Sequence, residues 1–194
     1  MATFELKQNV DLAELTTMKI GGKAKYFTEI ISSDQLEEVL SWAQDNNVPF
    51  YLLGGGSNTI FDDGVFDGLI IAINIKGIEK TSEDEVSAIV RVGAGEDWDY
   101  TVAEIVGMSL WGMEALSGIP GKTGAAPYQN IGAYGQEIKD TIDHIEAYDT
   151  KAKKIIDLSR NDCKFGYRDS IFKSTEKGRY IITNVYFKLS KKEI

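Results

Sequence analysis

Three stretches of the 194-residue chain hold side chains, or lack them, in patterns that could do chemistry. Leu52-Leu53-Gly54-Gly55-Gly56-Ser57-Asn58 follows an apolar run, and three successive residues without Cβ let backbone N–H groups close on a bulky anion such as a diphosphate. The Ser57 hydroxyl and the Asn58 amide could add hydrogen bonds that orient it. A glycine-rich turn with no ligand fits the same residues equally well. The second stretch, Ile119 to Gly135, holds no charge but Lys122. It has neither helical nor strand period, so irregular backbone is expected, and a long structureless loop inside a compact domain points to function. Its small residues, with donors and acceptors on Gln129, Asn130 and Tyr134, suit wrapping a flat polar heterocycle through backbone contacts. The third is Tyr167-Arg168: a guanidinium presents a permanently charged planar fork to a carboxylate, although an ordinary ion pair with Asp169 or another acid would account for an arginine there.

Two familiar phosphate loops are excluded. The G-x-G-x-x-G fingerprint lacks its third glycine after Gly54-Gly55-Gly56 and after Gly93-Ala94-Gly95. Gly121-Lys122-Thr123 superficially matches a nucleoside-triphosphate loop, but the earlier glycine that loop requires falls on Leu116.

The elements that must position these stretches alternate strand and helix. Tyr26 to Ile31 reads as a strand. Ser32 then stands as an N-cap with Gln35 three residues on, and Leu36, Val39, Leu40 and Ala43 recur at helical spacing. Pro49 to Leu53 is a short apolar strand ending in the triple glycine, and Gly68 to Ile75 is a further buried strand. Residues 1–76 therefore form a first, α/β lobe. Val86 to Val92 predicts a strand, and Asp97 to Met108 a helix with Trp98, Val102, Ile105 and Val106 on one face. Ile142 to Tyr148 and Lys154 to Leu158 form a hairpin around Asp149, and Tyr180 to Leu189 alternates as a final strand. Residues 77–194 make a second, mixed lobe with antiparallel pairing, so the whole is α+β and two-lobed, without an extended linker.

Composition agrees with a folded enzyme-like chain: hydrophobic residues are 43% and charged ones 26%. The net charge of −9 and pI near 4.7 give no field to attract nucleic acid. The best apolar run, Leu69 to Ile75, is strand-sized and contains Asn74, so membrane insertion is not expected. Glu5 and the absence of a basic region before an apolar core argue against a secretion signal, and the single cysteine, Cys163, fits a reducing compartment. A cytoplasmic monomer is the expectation.

Leu53-Gly54-Gly55-Gly56-Ser57-Asn58, Ile119-Pro120-Gly121 with Gly124, Pro127, Gln129-Asn130, Gly132-Ala133-Tyr134-Gly135, and Phe165-Gly166-Tyr167-Arg168-Asp169-Ser170-Ile171-Phe172-Lys173 together resemble the UDP-N-acetylenolpyruvoylglucosamine reductase family of peptidoglycan synthesis. The similarity runs from about Asn9 to the end of the chain. The resemblance implies the two-lobed FAD-binding fold of the vanillyl-alcohol oxidase (PCMH) type, with non-covalent FAD and its diphosphate at Gly54, Gly55, Gly56, Ser57 and Asn58. It implies that Ile119, Pro120, Gly121, Gly124, Ala125, Ala126, Gln129, Asn130, Gly132, Ala133, Tyr134 and Gly135 cradle the other side of the diphosphate and the isoalloxazine. Tyr167 and Arg168 would meet substrate, Arg168 stabilising charge on the enolpyruvyl carboxylate. NADPH would be the reductant and UDP-N-acetylmuramate the product, serving cell wall biogenesis, cell shape and division. The family's proton-donating serine and its glutamate partner lie in a third domain that this sequence does not contain, so weak turnover is expected. Ala125-Ala126, where relatives often carry hydroxyls, bears on flavin tuning. A stand-alone flavin-binding module and an oxidase of the same fold remain rival readings.

The remaining candidates are bland. His144 is the single histidine, which leaves no metal cluster or Ser-His-Asp arrangement to build and no expected covalent flavin link. Cys163 sits in what reads as a short helix capped by Ser159 and is expected to pack, not to react. Trp42, Trp98 and Trp111 read as core or flavin-pocket wall, with core the default, and Ser82 to Glu85 as a solvated turn.

Overall fold

The computed structural model describes residues 4–193. The chain divides into two compact units, Met1–Ile75 and Lys76–Ile194. No helix among the described residues is long and apolar enough to cross a membrane.

In the first unit β1 (Lys7–Asp11), β2 (Lys23–Ile30), α1 (Asp34–Asp45), β3 (Phe50–Leu53) and β4 (Val65–Ile73) follow in order. The sheet order is β1-β2-β4-β3, with β2 and β3 both parallel to β4 and β1 antiparallel on the edge. Leu12, Ala24, Phe27, Leu53 and Ile70 pack as one buried cluster. Leu36, Val39 and Ala43 form the buried stripe of α1, with Leu40 half-buried beside it. Each fully buried Leu or Val contributes about 1.5–3 kcal/mol relative to exposure. The helix begins one residue later than its pattern predicts: Ser33, not Ser32, is the N-cap, and it makes no side-chain cap bond. Gln35 does that work, its Oε1 accepting from the N–H groups of Ile31 at 2.8 Å and Ser32 at 3.4 Å. The longer carboxamide reaches back to N–H groups that precede the helix, which is the half of a capping box that a glutamine three residues after Ser32 supplies.

The second unit contains β5 (Ile78–Glu83), β6 (Ser87–Gly93), α2 (Trp98–Gly107), β7 (Gly132–Ala133), β8 (Gln136–Glu137), β9 (Ile142–Asp149), β10 (Lys154–Ser159) and β11 (Tyr180–Ser190). Five strands form an antiparallel sheet in the order β10-β9-β11-β6-β5. Because β11 is central, every residue from Tyr180 to Val185 is buried, and the expected alternation is absent there. Strand β5 went unread because it is mostly exposed. It runs into the acidic stretch expected as a turn, of which Ser82 and Glu83 belong to the strand and the bend itself falls on Glu85 and Val86. Lys191 and Lys80 hold the Glu83 carboxyl down to about 2.

Helix α2 starts where Asp97 predicts: its carboxylate accepts from Tyr100 N–H. Trp98 is 1% exposed and donates through its ring N–H to Leu116 O at 2.8 Å. Thr101, Val102 and Ile105 complete the buried face, whereas Val106 is 45% exposed. Thr101 holds the stripe that Val106 was expected to share, because its hydroxyl is bonded to Asp97 O and to the Thr123 hydroxyl inside the fold. Cys163 lies in a turn instead of a short helix. Asp162 accepts from the Ser159 N–H and hydroxyl, and burial pushes the thiol up to about 12, which keeps it protonated and inert.

Candidate functional site

The Gly54 loop leaves β3 at its carboxyl end, the edge of an open parallel sheet where ligands bind. Gly54 and Asn58 are exposed, while Gly55 and Ser57 are half-buried. Gly56 is different. It is buried with φ +65°, and a Cβ there would stand 2.1 Å from Leu15 O and 2.9 Å from Thr16 Cα. Its carbonyl also accepts from Thr17 N–H at 3.2 Å. The missing side chain at Gly56 therefore serves the approach of its own chain, which leaves Gly54 and Gly55 as the backbone an anion could meet.

The second stretch is more ordered than its lack of periodicity predicts. Thr123–Gln129 is a 3-10 helix with Pro127 inside it, and Asn130 closes it in the left-handed conformation at φ 43°. Short i→i+3 turns tolerate this mixture of Gly, Ala and Pro without any apolar period, so the pattern was invisible. Thr123 N–H donates to Glu96 O and Gly124 N–H to Ala94 O, both at 2.9 Å. A Cβ at Gly124 would lie 2.5 Å from the Ala94 Cβ, so only glycine allows this seating. Ala126 and Pro127 are buried inward, while Ala125 and Pro120 are exposed, and Ile119, Gly121 and Gln129 are half-buried.

Strands β7 and β8 are joined by Tyr134 and Gly135, with φ 50° and 88°, the two positive values that a tight two-residue hairpin turn requires. Tyr134 is 93% exposed at its tip. Gly132 and Ala133 are half-buried, and Asn130 is fully buried. The Asn130 amide donates to Gly166 O at 2.9 Å while its oxygen accepts from Lys139 N–H at 3.2 Å. Asn130 thus ties this ribbon to the Tyr167-Arg168 turn, a coupling its residue type alone did not disclose.

Gly166 and Asp169 exchange both backbone hydrogen bonds, and Tyr167 and Arg168 form the tip between them. Arg168 sits at φ 52°, a conformation that costs a non-glycine residue about 1 kcal/mol and persists because the surroundings impose it. Its Nη2 donates to Gly132 O at 3.2 Å, and Lys173 Nζ donates to Arg168 O at 2.8 Å. The ordinary alternative, an ion pair with Asp169, is not what the structure holds. Among nearby acids, Glu137 is held below the usual carboxylate range mainly by Lys139, with a smaller part from Arg168. Tyr167 is 89% exposed beside it. Ser170 adds a further tie, its hydroxyl donating to Tyr128 O at 2.7 Å. In this unit the fold therefore brings the Gly132–Gly135 hairpin and the Tyr167-Arg168 tip together.

The donor set suits a dinucleotide. Gly54 and Gly55 offer accessible backbone at a strand's carboxyl end, the second ribbon is seated by glycine against Ala94, and no carboxylate lies within either stretch. The sequence profile of the FAD binding domain family matches residues 24–158. The chain belongs to that family. FAD is accordingly its cofactor, and each unit by itself offers a stretch whose backbone suits such a group: Gly54 and Gly55 in the first, the Thr123–Gly135 ribbon in the second.

The chain is similar to the UDP-N-acetylenolpyruvoylglucosamine reductase of Thermobifida fusca, 40% identical over 192 residues that make up 99% of this chain and 53% of that protein. It is likewise 40% identical to the Amoebophilus asiaticus reductase of the same name over 96% of this chain and 55% of the other. It thus spans about half the length of the curated relatives it matches. The crystal structure of the Thermus caldophilus reductase superposes with a TM-score of 0.76 at 25% identity, covering 96% of this chain and 62% of that one. At 16% identity, 6-hydroxy-D-nicotine oxidase of Arthrobacter nicotinovorans shares the fold with a TM-score of 0.72 over 98% of this chain and 43% of that one. The fold is the α+β FAD-binding fold of the vanillyl-alcohol oxidase type, as the sequence motifs implied.

His144 and Cys163 join neither ribbon. His144 bonds Asp143 through Nδ1 at 2.8 Å and stacks on Tyr186 with centroids 3.9 Å apart, a strand histidine in a structural setting.

Proposed function

We propose that this chain supplies the FAD-holding region and the carboxylate-binding arginine of a cytoplasmic reductase. That enzyme would use NADPH to convert the enolpyruvyl ether of UDP-N-acetylglucosamine to UDP-N-acetylmuramate for peptidoglycan. Bound FAD would supply hydride transfer, from NADPH to the enolpyruvyl methylene carbon. The observation that carries the reading is the seating of Arg168: its turn is closed by Gly166 and Asp169, tied in by Asn130, and its guanidinium is bonded to Gly132 of the ribbon. An arginine so placed can lay its fork against a carboxylate conjugated to the double bond. As hydride adds to one end of that bond, negative charge grows toward the carboxylate, and a fixed cation there stabilises the charge without reorganising. Tyr167, at the same tip, offers a hydroxyl to orient the substrate. The homologues' shared name supports this substrate, and the acidic, histidine-poor composition supports no competing hydrolytic or nucleic-acid chemistry.

The test is spectroscopic. The purified chain should show flavin absorbance bands. In the intact natural protein under anaerobic conditions NADPH should bleach them, and the UDP-linked enolpyruvyl ether should restore them. Arg168→Ala should slow restoration by about 10²–10³-fold while leaving bleaching nearly unchanged. Equal slowing of both half-reactions would remove Arg168 from its role, and restoration only by oxygen would give the site to an oxidase.

A further inference from the structure

Lys122 is the one charged residue between Ile119 and Gly135, and the fold determines where it stands. Trp98 N–H donates to Gly121 O at 3.0 Å, Thr123 N–H donates to Glu96 O at 2.9 Å, and Lys122 faces Asp97 across an isolated antiparallel bridge. These bonds hold the lysine against the loop that joins β6 to α2. Lys76 reaches the same loop, its Nζ donating to Gly95 O at 2.7 Å and to Glu96 at 3.3 Å. Glu96 is 8% exposed, and its other oxygen accepts from Gly77 N–H at 2.7 Å. The one buried carboxylate of the cluster is thus already engaged twice.

Lys122 is half-buried, and the backbone bonds that seat it set it beside the loop residues Gly95 and Glu96 that the Lys76 amine also reaches. Lost solvent and then the Lys76 charge push Lys122 below its ordinary value, and Asp97 and Glu96 only partly offset them. Both acids of the cluster are already engaged, Glu96 by Lys76 and Gly77 N–H and Asp97 by Tyr100 N–H, so an anion that can meet both ammonium groups relieves their crowding. A single carboxylate has one charge to offer, whereas a diphosphate carries two adjacent charged groups, each matched to a point-charge donor.

We propose that Lys122 and Lys76 form a two-lysine clamp for a diphosphate, and that the guest is the diphosphate of FAD. The guest rests on the FAD reading. The clamp rests on the two side chains and the backbone bonds that seat them, independently of the Gly54 loop.

Affinities of the full chain for FAD, riboflavin, inorganic pyrophosphate and UDP, measured by calorimetry at low and high salt, test it. Lys122→Gln should weaken FAD and pyrophosphate by about tenfold and flatten their salt dependence, with riboflavin binding unchanged. Lys122→Arg should retain FAD affinity within about threefold. Lys76→Gln should act in the same direction. Should that variant lose its fold through the stranded Glu96, the Lys122 pair of variants decides alone. Unchanged FAD affinity in Lys122→Gln, or an equal loss for riboflavin, overturns the clamp. Weakening of UDP alone also overturns it, by giving the lysines to a nucleotide sugar. A wild-type chain that binds pyrophosphate through Lys122 but not FAD keeps the clamp and sinks the cofactor reading, and one that binds neither overturns both.

Discussion

Gly54, Gly55 and Gly56 are alike in sequence and unlike in the fold. Gly56 meets the Leu15 carbonyl, and an added methyl would collide with backbone that has no free end to swing away. Gly56→Ala should therefore destabilise the chain in the absence of FAD, by about 2 kcal/mol or more, read as a lower thermal midpoint. Gly55→Val should instead act on the cofactor, removing flavin colour from the purified protein, and retained FAD would take this loop out of the site. The triple glycine was legible as a loop that needs close approach, but the partner of Gly56 lies some forty residues earlier in the chain, where no local pattern reveals it. Asn130 repeats the lesson: it was visible as a donor, yet its full burial and its bond to Gly166 come from the neighbouring turn.

Elements with a buried face were readable, and an exposed one was not. The stripe of α1 and the hairpin β9–β10 follow from period and turn residues, and β11 was legible as a strand although burial on both faces removes its alternation, whereas β5, exposed along nearly its whole length, went unread. The junction of β9, β10 and β11 is held by Asp149. Its carboxylate, 2% exposed, accepts from Lys151 and Ala152 N–H at the turn and forms a salt bridge with Arg179 at 2.8 Å. The Arg179 bond comes first among the causes that hold the Asp149 carboxyl down to about 2. A carboxyl held below its unfolded value of about 3.9 adds stability above that pH and loses it as pH falls through the folded value. Asp149→Asn should accordingly cost about 2 kcal/mol near neutral pH, with the gap to wild type closing between about pH 4 and pH 2. Thermal midpoints of both proteins across that range check it, and a pH-independent gap would mean that the turn bonds, not the charge, matter.

For the molecule as a whole, the cofactor is a thermodynamic partner of the fold. FAD recognises the folded chain and not the unfolded one, so FAD at a hundredfold excess over its Kd should stabilise the chain by about 2.7 kcal/mol, and the midpoint should rise further with each increase in FAD. A midpoint indifferent to FAD would count against the assigned ribbons. By itself the sequence determined that the chain folds as α+β, carries two stretches poor in side chains, and sets an arginine beside a tyrosine at 167–168. Residue type and period are local properties, and the motifs' order along the chain carries the family likeness. Only the tertiary structure decided which glycine serves the fold and which faces outward, that Arg168 bonds Gly132 instead of an acid, and that Lys76 and Lys122 share one loop. Those are contacts between residues far apart in the chain, and they exist only once burial has made their partners neighbours.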